Sequence, residues 1–427
     1  MSTLLRRYFD LASPASLVPL SVPFVVGLAW ACATYAIPTD FQAFVDAARA
    51  LRAGLDPYGA YTVQFAVPFP NLNPPFSLFF IAPLADADPW IAQRVWYWTT
   101  IALYAANCWL LLRLSPTRAT IGHVAWLLAL AGFWHSLQSK NLYIPLATLT
   151  TVTWVLLRRH HASSAALLIG LMAALKPNLL IWPALLYLAG HRRVAVVAGG
   201  TAGAASLLAL VAFGPNAYQQ WWAATRLYAR PELVHNGSLF AAFDHLGLAH
   251  VSWAGSTLML VGVALVVWRR RPPAGEASAI AIAAALLAAP LAWIGYSLLL
   301  LPALLERPWR RAFRAAAVLL VLPPPNLVSL TDRSPVLMAT LGLAYPAAFC
   351  LVLAGLVANG SPIGATQSGT VVPLPRGVPL ATLGALWRRC AASGVQTVQR
   401  AWAPGQPGSA DPPDRHGRDQ LVGSGAN

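Results

Sequence analysis

Residues 17–51 read LVPLSVPFVVGLAWACATYAIPTDFQAFVDAARAL, and they join a membrane span to a carboxylate at its end. The apolar run 17–37 is long enough to cross a bilayer, for which roughly 20 residues suffice. Pro38 ends this run, and Asp40 follows at the edge of the hydrocarbon. Beyond Asp40 the apolar residues recur at helical spacing, which predicts an amphipathic helix to about Leu51. We therefore expect a membrane protein whose first segment outside the bilayer begins with an acidic residue.

The composition extends this expectation to the whole chain. Of its 427 residues, 57% are hydrophobic and 10% are charged, whereas soluble domains average about 25% charged residues. Apolar runs that can cross a bilayer, or nearly so, lie at 17–37, 91–113, 121–137, 142–157, 163–175, 179–189, 194–213, 251–268, 277–293, 296–305, 312–330 and 336–357. They predict an all-α polytopic membrane protein with about 10–13 transmembrane helices.

The net charge of +15 comes from arginine clusters that all fall on one side when the spans are taken in order. Arginine excess marks the cytoplasmic side of a membrane protein. This distribution predicts cytoplasmic termini, and it explains the basic charge without a nucleic-acid partner. The clusters are Arg6-Arg7, Arg113 with Arg118, Arg158-Arg159, Arg192-Arg193, Arg269–Arg271, and the arginines between 307 and 314.

With this topology, two long segments face outward, at about 38–75 and 214–250. In the second, Tyr218, Trp221 and Trp222 share a helical face, which is typical of a helix lying in the membrane interface. We therefore expect both outer segments to carry interfacial helices. Residues 1–358 form the predicted membrane domain. Residues 359–427 are rich in Pro, Gly and Ser, which predicts a mostly disordered cytoplasmic tail.

The first outer segment contains three of the chain's fourteen acidic residues, Asp40, Asp46 and Asp56. A carboxylate at the edge of the bilayer can act as a base on the hydroxyl group of a lipid-borne substrate. Equally, Asp40 or Thr39 can be the N-cap of the amphipathic helix. The segment by itself leaves both interpretations open.

Only two lysines occur in the chain, Lys140 and Lys176, and both are predicted at the outer ends of spans. Arginine accounts for the topology, so a lysine on the opposite face needs another explanation. It can bind a lipid-linked phosphate, or it can snorkel to the head groups. Pro177 follows Lys176 and ends the helix there, which favours a functional role for Lys176. For Lys140 the two interpretations are balanced.

Polar residues predicted at the same outer ends include Asn141, Asn236 and Ser238. Their amide and hydroxyl groups can bind sugar hydroxyls, or they can cap helices. The three histidines of the second outer segment, His235, His245 and His250, are not accompanied by a recognised zinc-ligand pattern. The four cysteines also lack metal or redox spacing. The sequence therefore predicts neither a metal nor a cofactor.

Several segments follow one another along the chain: Asp40, AARALRAGLDPY, NPPFSLFFIAPLA, QSKN, AALLIGLMAALKPNLLIWPALL, HNGSLFAAF and AAPLAWIGYSLLLLPALL. Taken together, these segments resemble glycosyltransferase family 87. The resemblance covers about residues 40–305 and is strongest in the Gly-x-x-Pro-Tyr stretch that ends at Tyr58 and in GLMAALKP at 170–177. Members of this family are membrane enzymes of the GT-C fold that use polyprenyl-phosphate sugars, and they include mannosyltransferases acting on phosphatidylinositol mannosides.

The resemblance implies an inverting hexosyltransferase, with mannose the first expectation, in a bacterial cytoplasmic membrane with its site facing outward. Asp40 would be the general base, and Lys176 would contact the donor phosphate. The acceptor would be a lipid or glycan hydroxyl. The resemblance and the considerations above together predict further substrate-binding residues, which are Lys140, Asn141, Tyr58, Asn236, Ser238, His245 and Trp293.

Three positions depart from the family pattern. Ser139-Lys140 stands where Gly-Gln is usual, Gly295 stands where histidine often follows the tryptophan, and His245 stands where arginine often follows Asn-x-Ser. These departures keep open a catalytically inactive family member. A polytopic transporter or lipid flippase is the other alternative, although such proteins usually place ionisable groups at mid-bilayer.

Overall fold

The computed structural model of the protein describes residues 10–37, 39–64, 67–115, 119–228, 235–307, 309–322 and 335–358. The predicted tail at 359–427 lies outside these residues. The α-helices are α1 Leu17–Ala33, α2 Asp40–Arg52, α3 Leu78–Ile81, α4 Pro89–Leu114, α5 Ile121–Ala129, α6 Ala131–Ser139, α7 Tyr143–Arg158, α8 Ala162–Leu175, α9 Ile181–Leu188, α10 Arg192–Tyr228, α11 Leu239–His245, α12 Ser252–Arg270, α13 Ala274–Ala288, α14 Leu301–Leu305, α15 Arg311–Leu319 and α16 Pro335–Ala358. Short 3-10 helices lie at Pro14–Ser16, Pro75–Ser77, Ala82–Asp86, Pro177–Leu180, Ala249–Val251 and Ile294–Leu300.

The prediction of an all-α polytopic membrane protein is confirmed. In the described chain the only strands are the two-residue pair Val63–Gln64 (β1) and Val67–Pro68 (β2), which form a small antiparallel hairpin. Five helical segments of that part are long and apolar enough to cross a membrane. They are Pro14–Ala33, Pro89–Leu114, Arg192–Tyr228, Ala249–Arg270 and Thr340–Ala358.

Some of the predicted spans are broken helices. The run 121–137 divides at Leu130, whose φ of −60° and ψ of 126° separate α5 from α6. The break allows the Ala131 amide to donate to the Leu320 carbonyl at 3.0 Å. The runs 179–189 and 296–305 likewise begin in the 3-10 helices that precede α9 and α14. These short elements are apolar, and hydropathy alone does not distinguish them from continuous spans.

The centre of the bundle is α13, with the sequence AGEASAIAIAAALLA. Every residue from Glu276 to Leu287 is buried, and α9, α12 and α16 pack around the helix. Small side chains allow neighbouring backbones to approach closely, which is the usual basis of helix packing in membranes. Alanine therefore serves here to bring helices together.

The second outer segment begins at a kink in α10. Gly214 has a φ of 77°, a conformation that glycine adopts without the steric cost paid by other residues. After the kink the helix continues and packs on the first outer segment. Its Tyr218 hydroxyl donates to the Ser206 carbonyl at 2.8 Å, and Trp221 Nε1 donates to the Leu72 carbonyl at 3.1 Å. The helix expected from the aromatic spacing is therefore present.

The first outer segment is built on α2, which begins at Asp40 as predicted and ends at Arg52. The Asp46 carboxylate accepts hydrogen bonds from Gln42 Nε2 at 2.9 Å and from Thr62 Oγ1, so it ties the residues before β1 to the helix. The Asp56 carboxylate accepts from the Tyr58 amide at 2.8 Å and closes a turn. Two of the three acidic residues therefore have local structural partners.

Contacts between helix ends define two opposite ends of the bundle. Asp40, Asn141 and Lys176 mark one, called here the Asp40 end. Arg158 and Glu306 mark the other, called the arginine-rich end, where Arg158 Nε lies 3.4 Å from Glu306 Oε1. Helix α7 runs from Tyr143 at the first end to Arg158 at the second, a rise of about 24 Å at 1.5 Å per residue.

Candidate active site

Asp40 is the first residue of α2, and its carboxylate bonds to a residue outside that helix. The preceding residue, Thr39, occupies the N-cap position without a side-chain cap bond. Asp40 Oδ2 instead accepts a hydrogen bond from Asn141 Nδ2. This bond links residues 101 positions apart, so the carboxylate is positioned by the tertiary fold.

Asn141 is itself held in a fixed orientation. Its Oδ1 accepts a hydrogen bond from the Leu142 amide, and its Nδ2 also lies 3.2 Å from the Tyr143 hydroxyl. Because the carbonyl side of the amide is occupied by the backbone, the NH₂ side faces Asp40. The residue is buried. Asn141 therefore presents a defined donor to one carboxylate oxygen.

The environment of Asp40 suits a group that takes up a proton near neutral pH. Burial raises the pKa of Asp40 to about 6, while the Asn141 hydrogen bond and the positive charges of Lys176 and Lys140 act in the opposite direction. A carboxyl with a pKa of about 6 is mostly ionised at pH 7, yet it is more basic than an ordinary aspartate. This combination is typical of a general base.

Lys176 lies directly after α8, where the chain turns extended with a φ of −141° because Pro177 follows. Its side chain is half-buried, and Nζ lies 5.5 Å from the centre of the Tyr296 ring. Within the described residues it forms no ion pair with a carboxylate. The lysine therefore presents a charge near Asp40 that an anionic ligand can neutralise.

Lys140 has a different environment, although it adjoins Asn141. Only 1% of the residue is exposed. Its Nζ donates to the Ile37 carbonyl at 3.5 Å and lies 5.9 Å from the centre of the Tyr35 ring. Burial lowers the pKa of Lys140 to about 8, against the opposite effect of Asp40.

A cluster of aromatic rings continues from Asn141 toward Trp293. The Tyr143 and Tyr296 rings meet edge to face with centroids 4.9 Å apart. The His135 ring lies 6.0 Å from Tyr143 and 5.7 Å from His235. His235 in turn stacks on Trp293 at 4.6 Å. Three rings that were not singled out in the sequence, together with His235, thus form a cluster between Asn141 and Trp293.

Tyr143 also decides which residue can stand at position 295. A Cβ atom on Gly295 would lie 2.4 Å from Tyr143 Cδ2 and 3.0 Å from Ser136 Oγ. A histidine at this position would therefore require the Tyr143 ring to move. The departure from the family pattern at Gly295 is explained by the packing of this tyrosine.

The sequence around His135 and Tyr143 contained a usable signal. Both residues flank QSKN, and His235 and Tyr296 lie inside the quoted motifs HNGSLFAAF and AAPLAWIGYSLLLLPALL. Ring clustering between distant segments is invisible to spacing rules, because those rules compare residues on one element only.

Asn236 and Ser238 hold two chain segments together. Asn236 Oδ1 accepts from the Ala292 amide and Nδ2 donates to the Pro290 carbonyl, each at 2.8 Å. Ser238 is the N-cap of α11, and its Oγ accepts from the Ala241 amide. These bonds fix the backbone beside Trp293, so both residues lie near the ring cluster with polar groups already engaged.

Tyr58 and His245 pack against apolar side chains and against α16, respectively. Tyr58 packs in the apolar cluster beneath α2 that includes Phe41, and burial raises its pKa well above the ordinary value. His245 packs against α16, where a Cβ on Gly342 would lie 2.4 Å from its Nε2. Burial lowers the pKa of His245. Across the described residues, no group of three or more histidine, cysteine or acidic side chains is placed to hold a metal.

Fold and site together define an integral membrane protein with a carboxylate and a lysine at one end of its helix bundle. The family model of glycosyltransferase family 87 matches residues 71–294, just over half of the chain. The protein belongs to glycosyltransferase family 87 and is a glycosyltransferase by family. No curated protein and no solved structure matches the chain. Asn141, Lys176 and Trp293 lie within the matched residues, and Asp40 precedes them.

Proposed function

We propose that the protein transfers a hexose, with mannose the first expectation, from a polyprenyl-phosphate sugar to a hydroxyl group of a lipid- or glycan-linked acceptor. The bond between Asp40 and Asn141, with Lys176 nearby, is the observation that supports this most directly. This arrangement places a base of suitable pKa, Asp40, near a cation, Lys176, that has no carboxylate partner among the described residues. Family membership supports the sugar transfer itself.

In the proposed reaction, Asp40 removes the proton of the acceptor hydroxyl as its oxygen attacks the anomeric carbon of the donor. The bond between that carbon and the phosphate oxygen breaks, and polyprenyl phosphate leaves with the bonding electrons. Attack from the face opposite the leaving group inverts the anomeric configuration. A phosphate leaves without being protonated, so one base is sufficient. This accounts for a site with a single carboxylate.

Lys176 is the proposed contact for the donor phosphate. Its ammonium group would stabilise the negative charge that grows on the phosphate as the sugar bond breaks. Pro177 supports the role because it ends α8 and leaves the lysine beyond the helix. Asn178 Nδ2, two residues on, is buried and has no hydrogen-bond partner among the described residues. It is a second donor close in sequence to this cation.

Trp293 is the proposed surface for the sugar ring, because it stacks on His235 yet remains partly exposed. The segment that carries it is fixed through Asn236 and Ser238. Direct substrate contacts by Tyr58, Asn236, Ser238 and His245 stay predictions. So do the division into a membrane domain at 1–358 and a tail at 359–427.

A transfer assay tests the proposal. The protein in lipid nanodiscs is given polyprenyl-phosphate mannose labelled in the sugar, with parallel glucose and galactose donors, and extracted envelope lipids as acceptor. Mild acid cleaves the donor but spares an ordinary glycoside, so transfer places label in a product resistant to mild acid. We expect such a product with inverted configuration from one donor. If the label remains in the donor lipid for all three sugars, the proposal is contradicted. Movement of the donor between leaflets without sugar transfer favours a flippase.

The orientation is a separate part of the proposal, and the arginine clusters support it. We expect the Asp40 end to face the periplasm or cell exterior of a bacterial cytoplasmic membrane. Single cysteines near Tyr58 and Asn236 should then react in intact cells with a membrane-impermeant thiol reagent, and one near Arg270 should not. Labelling only near Arg270 would reverse the orientation.

A further inference from the structure

The segment between α1 and α2 is held from two sides by consecutive residues. Lys140 donates to the Ile37 carbonyl, and Asn141 donates to the Asp40 carboxylate. The two acceptors belong to Ile37 and Asp40, which are three positions apart, and Asp40 is the first residue of α2. The position of the carboxylate thus depends on the loop between α6 and α7.

Two features of Lys140 are costly for folding. Its backbone is left-handed, with a φ of 53° and a ψ of 37°, which costs about 1–3 kcal/mol outside glycine. Its ammonium group is also buried, and burial penalises the charged form. Costly local features of this kind concentrate at functional sites. Snorkelling does not account for them, because a snorkelling lysine keeps its charge in water.

We propose that Lys140 is a positioning residue, whose buried ammonium group holds the Ile37 segment in place and keeps the neighbouring Asp40 carboxylate charged. This replaces the phosphate contact expected for Lys140 from the sequence, and it rests on the proposed function because it assigns a role around the same base. Lys176, which is half-buried, is left as the cation that meets the donor.

The electrostatic part of the proposal concerns every charged or titratable group around Asp40. Lys176 and Lys140 lower its pKa, in that order, and the Tyr143 hydroxyl accepts a hydrogen bond from the same Asn141 nitrogen as Asp40 does. Elsewhere around α2, Arg52 pairs with Asp86 at the opposite end of the helix. Arg94 of α4 lies over the Trp90 ring, 4.5 Å from its centre. The two lysines are therefore the cations that act on this carboxylate.

Removing the charge of Lys140 should move the acidic limb of the pH–rate profile toward higher pH. An opposite charge nearby lowers a carboxyl pKa, so its loss raises that pKa, and we expect a movement of about one pH unit. A base works when it is deprotonated. Lys140→Met should therefore be about fivefold slower than the wild type at pH 6, each measured against its own plateau at pH 8.5.

Three variants separate charge from anchoring. Lys140→Met removes the positive charge and the hydrogen-bond donor for the Ile37 carbonyl. Lys140→Gln keeps a donor without the charge, and Lys140→Arg keeps the charge. Methionine and glutamine, like lysine, are unbranched at Cβ, so the left-handed conformation costs them similar strain. We expect the acidic limb of the pH–rate profile to move to higher pH in Lys140→Met and Lys140→Gln and to stay at its wild-type position in Lys140→Arg. Arg52→Met, which removes a cation at the far end of α2, is the matched control and should leave the limb in place.

Two measurements make the proposal falsifiable independently of turnover. Donor affinity at pH 7, where a lysine with a pKa of about 8 is still mostly charged, should be unchanged in Lys140→Met. A loss there of tenfold or more would assign Lys140 to the phosphate and overturn the proposal. Infrared titration of the Asp40 carboxyl in nanodiscs, with Asp40→Asn as the difference reference, should show the same upward movement in Lys140→Met. An unmoved titration would refute the coupling, whereas the absence of sugar transfer by the wild type would refute only the proposed function.

Discussion

The two ends of the helix bundle hold their carboxylates in opposite ways. At the arginine-rich end, Glu306 lies 3.4 Å from Arg158 and Glu276 lies 3.7 Å from Arg307. At the Asp40 end, the carboxylate is held by a neutral amide. Within the described residues neither nearby lysine forms an ion pair with it.

This difference separates a structural use of charge from a chemical one. The Glu306 carboxylate also accepts a hydrogen bond from Trp154 Nε1 at 2.7 Å, so its oxygens are committed to fixed partners. A carboxylate whose two oxygens are engaged by an arginine and a tryptophan has no free oxygen with which to take up the proton of a substrate hydroxyl. Burial raises the pKa of Asp40, and among the described residues the two nearby lysines form no ion pair with its carboxylate. The comparison predicts that substitutions at one end impair activity and those at the other end impair stability.

The largest expected effect is on turnover in Asp40→Asn. Asparagine keeps an acceptor for Asn141 Nδ2 but cannot take up a proton, so turnover should fall by about 10²–10⁴-fold, the range of general-base catalysis. The thermal midpoint should stay the same or rise, because a charge that burial disfavours is removed. Asp46→Asn is the matched control, since the partners of Asp46 among the described residues are Gln42 and Thr62. Equal losses in both variants would remove the distinction between the base and the other acids of this segment.

Glu276→Gln should have the largest effect on stability. The Glu276 and Arg307 side chains are 4% and 12% exposed, and breaking a buried pair from one side costs about 3–5 kcal/mol. Thermal unfolding in detergent should show a clearly lower midpoint, with turnover per folded molecule preserved. Asp86→Asn breaks the exposed Arg52 pair, which is 61% and 68% exposed, and should cost about 0–1 kcal/mol. A turnover defect in folded Glu276→Gln protein would show that the two ends are coupled.

Lys176→Met should weaken donor binding while the protein still folds. Loss of a hydrogen bond to a charged group is worth roughly 1.5–3 kcal/mol, or about one to two decades in donor dissociation constant. Binding of a non-transferable donor analogue measures this directly. Acceptor binding should be unaffected, which provides the internal control. An unchanged donor affinity would reduce Lys176 to a residue that only influences Asp40.

The smallest expected effect is the pH dependence of the wild type. With a pKa of about 6 for Asp40, turnover should be half-maximal near pH 6 and fall about tenfold for each pH unit below it, because the base becomes protonated. Above pH 7 the ionised fraction is nearly complete, so this limb should be flat. Values of kcat/KM measured between pH 4.5 and 8.5, which report the pKa of the free enzyme, test the expectation. A midpoint near 4 would mean that burial does not perturb the carboxylate.

The amino-acid sequence by itself determined the class of protein. Hydropathy and helix length follow from each segment's own side chains, so the predicted α1, α2, α12 and α16 all occur. The helix after Gly214 was also predictable, since glycine followed by proline marks a break locally. The two rare lysines and Asp40 could be selected because they are exceptions to local composition.

Only the tertiary structure decided what those residues do for one another. Asn141 reaches Asp40 across 101 positions and Lys140 reaches Ile37 across 103, and no spacing rule links residues so far apart. The fold likewise turned the polar groups of Asn236 toward the backbone beside Trp293 and brought His135 to His235. Hydropathy records how each segment partitions between water and lipid, whereas a site depends on which helix ends meet. The packing of the helices against one another decides that.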